Sequence, residues 1–194
     1  GSVAQSKVIS KSLLEKLWVN SVETILMTKT GFMHKGRKII DDGKATHLFK
    51  YNPNQPIPES GILKNSQFRT QILGDYKQYL QQFYQVMAQK GGQKGDLAWC
   101  GTMVALTNFY VLTKQEWNAN QLKSSYDFVK NAMLKSPDIQ AASDQTKQYA
   151  CESMAIQSVS NYANFIKGDL TTGSIARGAL ADFFKGLGED ANNY

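Results

Sequence analysis

The sequence predicts an all-α fold, an irregular bundle of about six helices with one extended arm, and three observations carry this prediction. Apolar residues recur at three- and four-residue steps along most of the chain, which is the spacing of one helix face. Three of the four prolines stand together between residues 53 and 58, so the rest of the chain holds few helix breakers. A hydrophobic fraction of 42% over 194 residues is enough for one closed core.

The first predicted element is an amphipathic helix over residues 10–29, because its apolar residues form a single stripe. Residues 30–65 follow as an extended arm that holds three prolines and shows little periodicity. Within this arm, the segment 38–49 fits a small hairpin with Asp42-Gly43 at its turn. An extended segment packed over the helices fits equally well, because a two-stranded ribbon is only marginally stable in water.

Five further helices are predicted from apolar stripes that lie between capping and terminating residues. The most apolar of them follows Asp96, a natural N-cap, and has no polar face, which places it at the centre of the bundle. Its charge-free run Leu97–Thr113 is shorter than the roughly 20 apolar residues that cross a bilayer, and it carries polar side chains, so we interpret it as a buried helix. The five predicted ranges are 66–90, 96–113, 120–135, 144–167 and 172–187.

These elements predict a single domain over residues 10–187, arm included. Residues 1–9 are expected to be a loose N-terminus and residues 188–194 a frayed C-terminus. Gly1-Ser2, without an initiating Met, are typical of the residues that remain after an expression tag is cleaved. We therefore expect the native N-terminus, with any signal peptide that it carries, to precede this sequence.

Cys100 and Cys151 are the two cysteines, each inside a predicted helix, and they are too few for a disulfide-dense scaffold or a four-Cys zinc site. Two interpretations stand: a disulfide between the central helix and the long one, or two buried thiols. A disulfide closing a loop of this length would stabilise the fold by about 4 kcal/mol and would indicate an oxidising compartment. Catalysis by Cys100, with His34 or His47 as its base, is disfavoured because a buried thiol is inert.

No metal, cofactor or catalytic site is predicted from the titratable residues. The two histidines both lie in the arm, too far apart for the tight pairing of a zinc site. Glu152 is the acid most expected to be partly buried, and it would then need a bonding partner such as Arg69, Arg177 or a tyrosine hydroxyl. A hydrolase acting on cell-wall or lipid substrates, through Glu152, Cys100 and the arm histidines, remains an alternative. Carboxylates that could converge from different helices are Asp75, Asp96, Asp127 and Glu152.

The segment from Lys29 to Lys50, nearly all of it in the arm, carries most of the net charge of +6, with six cations against two anions. Aromatic residues are interleaved with these cations, a pattern that suits nucleic acid or an anionic surface. A single arginine among lysines disfavours base readout, however, and favours a partner-facing loop. The candidate binding residues are Lys29, Lys35, Arg37, Lys38, Lys44, Lys50, Phe49 and Tyr51.

Several short motifs resemble an uncharacterised family of proteobacterial helical proteins over residues 68–187. They are FRTQI at 68–72 followed by glycines, DLAW at 96–99 before the apolar helix, Trp117, Ser136-Pro137, and DQTKQ at 144–148. The members look like exported chains of about this size that carry signal peptides. The resemblance implies an all-helical fold and an envelope location, and it assigns no catalytic or binding residue because the family has no assigned activity.

We therefore expect a non-enzymatic bacterial envelope protein, periplasmic or secreted, that acts by binding another protein. An accessory or immunity-like factor of a secretion system would have this character. The alternatives are the hydrolase described above, and binding of anions or nucleic acid through the arm. No integral membrane protein is expected, and contact with an anionic surface would be weak.

Overall fold

The computed structural model of the protein describes residues 46–134 and 136–178, which fold as helices joined by turns and one extended segment. The all-α fold predicted from the sequence is confirmed within these residues. The predicted first helix and the end of the last one lie outside them. The helices with defined bounds are α1 (Gly61–Lys64), α2 (Arg69–Gln89), α3 (Leu97–Thr113), α4 (Ala119–Leu134), α5 (Pro137–Ala141) and α6 (Asp144–Ile166), and α7 covers 172–178.

Helix α3 lies at the centre of the bundle, as its apolar character predicts. It packs against α6, α4 and α2, and Leu97, Ala98 and Cys100 have no exposed surface. Asp96 begins the helix, because its Oδ1 accepts hydrogen bonds from the backbone N–H groups of Ala98 (2.9 Å) and Trp99 (3.2 Å). The position of this helix follows from the absence of a polar face that could be left in water.

The threonines of α3 are accommodated inside the helix itself. The hydroxyls of Thr102, Thr107 and Thr113 donate to the carbonyl oxygens four residues back, at 2.7, 2.8 and 2.7 Å. These polar side chains therefore need no partner from a neighbouring helix. Among the described residues, no helix combines the length and the hydropathy that crossing a membrane requires.

A covalent bond joins the first turn of α3 to the N-terminal half of α6. Cys100 and Cys151 form a disulfide with an S–S distance of 2.08 Å, and both residues are fully buried. Of the two interpretations that the sequence leaves open, the structure has the disulfide. A thiol nucleophile at Cys100 is incompatible with this bond.

Two short helices depart from the sequence prediction. Ser60 caps α1 by accepting from the N–H of Leu63 at 3.1 Å, within what was predicted to be extended arm. Ser136 caps α5, and Pro137 is its first residue, where the fixed φ of proline and its missing N–H favour a helix start. The prediction used Pro137 only as the end of the preceding helix. Both helices are too short for apolar periodicity to show them.

The described end of the arm is an extended strap, residues 46–58, laid across the helix bundle. An antiparallel bridge pairs Leu48 with Asp96, through the N–H of Phe49 to the carbonyl of Gly95 at 2.8 Å and the N–H of Leu97 to the carbonyl of His47 at 2.9 Å. The extended alternative thus holds for these residues. The rest of the hairpin alternative falls on residues outside the described part of the chain.

Gly95 permits this close crossing. Its φ is +86°, and a Cβ at this position would lie 2.6 Å from the carbonyl oxygen of Phe49. Phe49 itself is 7% exposed and belongs to the core. The sequence predicts Phe49 as a binding residue, and the structure places its ring in the core, where it holds the strap on the bundle. An aromatic side chain beside lysines in sequence can still point inward from an extended chain.

Candidate ligand-binding cleft

An open cleft of about 770 Å³ lies between the strap, α2 and α6. Its volume lies in the range of sites that bind small molecules or short chain segments. The strap supplies one wall through residues 51–57, α2 supplies the facing wall, and α6 supplies the floor. A smaller cavity of about 210 Å³ lies between α2, α3 and α6, and its lining is mainly apolar.

The strap wall is fastened to α6 by hydrogen bonds from side chains of both elements. The amide of Gln148 forms two bonds to the backbone of Asn52: its Oε1 accepts from the N–H at 2.8 Å, and its Nε2 donates to the carbonyl at 2.9 Å. Gln55 Nε2 donates to the carbonyl of Gln145 at 3.0 Å. The cleft therefore has a wall whose position is set before any ligand arrives.

Glu152 forms the floor of the cleft and is 4% exposed. Its Oε2 accepts a hydrogen bond from the hydroxyl of Tyr84 at 2.9 Å, and Gln148 also bonds to its carboxylate. Burial raises the pKa of Glu152, and the bonds from Tyr84 and Gln148 and the charge of Lys94 offset this only in part. Among the partners that the sequence suggests, a tyrosine hydroxyl is the one present, because Arg69 pairs with Glu59 instead.

Tyr84 acts as a fixed donor in this arrangement. Burial, and after it the charge of Glu152, raise the pKa of Tyr84 far above the ordinary value of a phenol. Burial and Glu152 raise the pKa of Tyr51 in the same direction. Both phenols are therefore protonated at physiological pH, and the Tyr84 hydroxyl donates a hydrogen bond to the carboxylate while it keeps its proton.

A lysine lies over the two tyrosine rings. Lys94 Nζ is 4.8 Å from the ring centroid of Tyr51 and 5.0 Å from that of Tyr84, within cation–π range. The two rings meet edge to face, with centroids 5.6 Å apart. In the part of the chain that the structure describes, no ion pair joins Lys94 to Glu152, although the two charges interact through space.

A second buried carboxylate, that of Asp96, lies beneath the strap and does not line the cleft. Asp96 Oδ2 accepts from the hydroxyl of Tyr126 at 2.6 Å and lies 3.9 Å from His47 Nε2. Burial lowers the pKa of His47, and this effect exceeds the opposing attraction of Asp96. His47 is thus a buried residue under the strap, and its lowered pKa favours the neutral imidazole.

The residues predicted from the sequence to bind a partner do not lie together in the structure. Lys50 is exposed and Tyr51 lines the cleft, whereas Phe49 is in the core. Candidates that lie outside the described residues are Lys29, Lys35, Arg37, Lys38 and Lys44. Groups of three or more metal-ligating side chains do not occur in residues 46–134 and 136–178.

Sequence reasoning missed three residues of the cleft. Tyr84 lies on the apolar stripe of its helix, where a cleft residue cannot be told from a core residue. Gln148 precedes Glu152 by four residues, so their shared helix face is visible in the sequence, and this spacing is the signal that could have identified the floor. Lys94 has no such signal, because its place over the rings depends on the turn between α2 and α3.

The cleft lining offers groups that can bind a ligand and a hydrogen-bonded carboxylate–phenol pair. Among residues 46–134 and 136–178, Glu152 is the only carboxylate in the cleft lining, whereas glycoside hydrolysis commonly uses two. Glu152 and Tyr84 are within hydrogen-bond reach, the minimum for an acid–base pair, and the raised pKa of Tyr84 favours its protonated form, which acts as a hydrogen-bond donor. A buried acceptor, two aromatic rings and several amides are the elements of a recognition site.

Comparison of the sequence with known proteins identifies a family, and this family has no assigned activity. Residues 61–159, about half of the chain, match the model of a family of unknown function, DUF6683. This match covers α1 to α5 and most of α6, including the cleft residues on α2 and α6. No curated protein and no solved structure matches the chain.

Proposed function

The chain belongs to the DUF6683 family of unknown function, and from this premise we propose that it acts by binding an extended segment of another protein in the cleft, without catalysing a reaction. The bound segment lies between the strap and α2. Glu152 and the tyrosines form the inner end of this site. The role expected from the sequence, an accessory or immunity-like factor, is compatible with such a site.

The observation that carries this proposal is a row of hydrogen-bonding side chains on α2. Lys77, Gln81 and Gln85 line the cleft at four-residue intervals, so they form one line about 12 Å long on a single helix face. All three are exposed, and no hydrogen bond ties their side chains to other described residues. A glutamine amide offers both donors and an acceptor, which matches the alternating N–H and C=O groups of an extended peptide.

The proposed location is the bacterial cell envelope, periplasmic or secreted. A disulfide between two fully buried cysteines supports it, because such bonds persist in oxidising compartments and are rare in the cytosol. The family resemblance described from the sequence points the same way, since its members look exported.

A cleft-blocking variant tests the proposed function. Ala88 is an exposed residue of α2 in the cleft lining, so Ala88→Trp would fill the space between α2 and the strap. We expect this variant to lose the partner that the wild-type protein retains in its native host. Gln78→Trp is the matched control, because Gln78 is exposed on α2 but does not line the cleft.

The expected result is loss of partner recovery by Ala88→Trp and full recovery by Gln78→Trp, with equal thermal stability of both proteins. Equal recovery by both variants would contradict the proposal. Turnover of a cell-wall or lipid substrate by the purified protein, abolished in Glu152→Gln, would replace binding with the hydrolase alternative.

A further inference from the structure

The inner end of the cleft already holds a positive charge. The ammonium group of Lys94 lies over the faces of Tyr51 and Tyr84, at 4.8 and 5.0 Å from their centroids. We refer to Tyr51, Tyr84 and Glu152 as the aromatic corner. Two aromatic faces with a carboxylate behind them are the usual components of a site that binds an ammonium or guanidinium group.

The carboxylate in the aromatic corner is neutralised incompletely. Glu152 is 4% exposed, and its hydrogen bonds come from two neutral groups, the Tyr84 hydroxyl and the Gln148 amide. An ionised carboxylate offers about four lone-pair sites, so acceptor capacity remains after these bonds. A buried carboxylate bonded to neutral donors attracts a cation strongly, because the low dielectric of its surroundings strengthens the interaction.

Lys94 is a weakly held occupant of this corner. Lys94 is exposed and lies in the turn between α2 and α3. Among the described residues, it forms no contact ion pair with Glu152. A cation–π contact at an exposed site contributes about 0.5–1 kcal/mol. A ligand cation that reached the carboxylate itself would therefore displace the Lys94 ammonium.

We propose that the aromatic corner binds a lysine or arginine side chain of the partner segment, and that Lys94 occupies this position in the free protein. The inference rests on the proposed function and adds the chemistry of the bound residue. Lys94 then acts as an internal competitor: it offsets part of the charge of Glu152 until the partner arrives, and it withdraws into solvent when the partner's cation enters.

Two small probes and three variants of the full chain test this inference. The probes are Nα-acetyl-lysine methylamide and its neutral isostere Nα-acetyl-norleucine methylamide, followed by NMR shifts of the tyrosine ring signals. Lys94→Met removes the competing ammonium and keeps an apolar stem. Lys77→Met is the control, because it removes the same charge from the same cleft but not from the rings. Glu152→Gln keeps an acceptor for Tyr84 and removes the negative charge.

We expect saturable binding of the lysine probe alone. Lys94→Met should tighten it about threefold, as expected for loss of one exposed cation–π competitor. Lys77→Met should change it less. Glu152→Gln should weaken it about tenfold or more, as expected for loss of a charge-assisted hydrogen bond.

Three results would overturn the inference. They are equal shifts from the lysine and norleucine probes, equal effects of Lys94→Met and Lys77→Met, and no response of Lys94→Met to the lysine probe. Binding of chitotriose in place of the lysine probe would assign the corner to a saccharide and likewise exclude a cation. If Ala88→Trp loses the partner and any of these results is also found, the cation-binding inference is rejected and the proposed function stands.

Discussion

Glu152 is the residue on which the site depends, and its protonation is linked to folding. Burial raises its pKa in the folded protein above the ordinary value of 4.5. As the pH rises from about 4.5 toward the higher pKa of the folded state, the carboxyl ionises in the unfolded chain before it ionises in the folded protein. Ionisation of Glu152 therefore lowers the stability of the folded state. The charge is therefore kept at an energetic cost, which is typical of functional groups in a cleft.

Glu152→Gln should raise the free energy of unfolding relative to wild type at pH 7, and the gain should disappear near pH 4. The gain should be about 1.4 kcal/mol for each pH unit that separates the folded and unfolded pKa values. Urea unfolding at several pH values measures it. Glu116→Gln, at an exposed glutamate, is the matched control and should show no such pH dependence. A wild-type protein that is more stable than Glu152→Gln at every pH would contradict this account.

His47 predicts the opposite pH response at the strap. Burial lowers its pKa below 6.5 in the folded protein, so the unfolded chain takes up the proton first as the pH falls. Stability contributed by neutral His47 is present above about pH 6.5 and is lost as the pH decreases toward its folded pKa. His47→Gln should therefore lose less stability than wild type between pH 7 and pH 5 in the same unfolding experiments. An unchanged slope in the variant would show that another group carries the acid sensitivity.

The strap is the element that turns a helical bundle into a molecule with a cleft. Without its hydrogen bonds to α6, the wall formed by residues 51–57 would have no fixed position. Its crossing over the start of α3 depends on Gly95, and its attachment to α6 depends on Gln148. Both dependences lead to a test with a matched control.

Gly95→Ala should destabilise the protein more than Gly91→Ala does. Both glycines have φ near +90°, so each alanine incurs the cost of a left-handed backbone, about 1–2 kcal/mol. Only at Gly95 would the new Cβ also meet the carbonyl oxygen of Phe49, because Gly91 has open space around it. Thermal unfolding of the two variants measures the difference. Equal losses would show that the strap does not press on Gly95.

Gln148→Ala should loosen the strap while the bundle stays folded. The substitution leaves the N–H and carbonyl of Asn52 without their partners, a loss of about 1–3 kcal/mol. Amide hydrogen exchange should accelerate at residues 50–56 and remain unchanged in α3. Gln157→Ala, at an exposed position of the same helix, is the control. Exchange that accelerates uniformly would indicate global rather than local opening.

The sequence predicts the long helices well because their apolar stripes repeat over several turns. It predicts Tyr51 as a binding residue through its place in the arm, but it cannot separate Tyr51 from Phe49, whose ring turns into the core. Tyr84 and Glu152 are 68 residues apart in sequence and lie on different helices, so no local sequence pattern predicts their contact. Lys94 reaches the rings through the turn at Gly91–Gly95, whose path is set by tertiary packing.

At the scale of the whole molecule, the disulfide holds the central helix pair together. Closing a loop of this length contributes about 4 kcal/mol in the chain-entropy model. The double variant Cys100→Ala/Cys151→Ala should lose stability of this order, measured by urea unfolding. The intact mass should increase by two hydrogens on reduction. Alkylation of both cysteines in unreduced, denatured protein would contradict the disulfide.

The central claim is that a segment of a partner protein occupies the cleft between the strap and α2. The most direct measurement places a photo-crosslinking amino acid at Gln85, in the cleft lining, and separately at Gln78, an exposed glutamine of the same helix that does not line the cleft. Irradiation in the native host should link Gln85 to one discrete protein and leave Gln78 unlinked. No adduct at Gln85, or the same adducts from both positions, would contradict the claim.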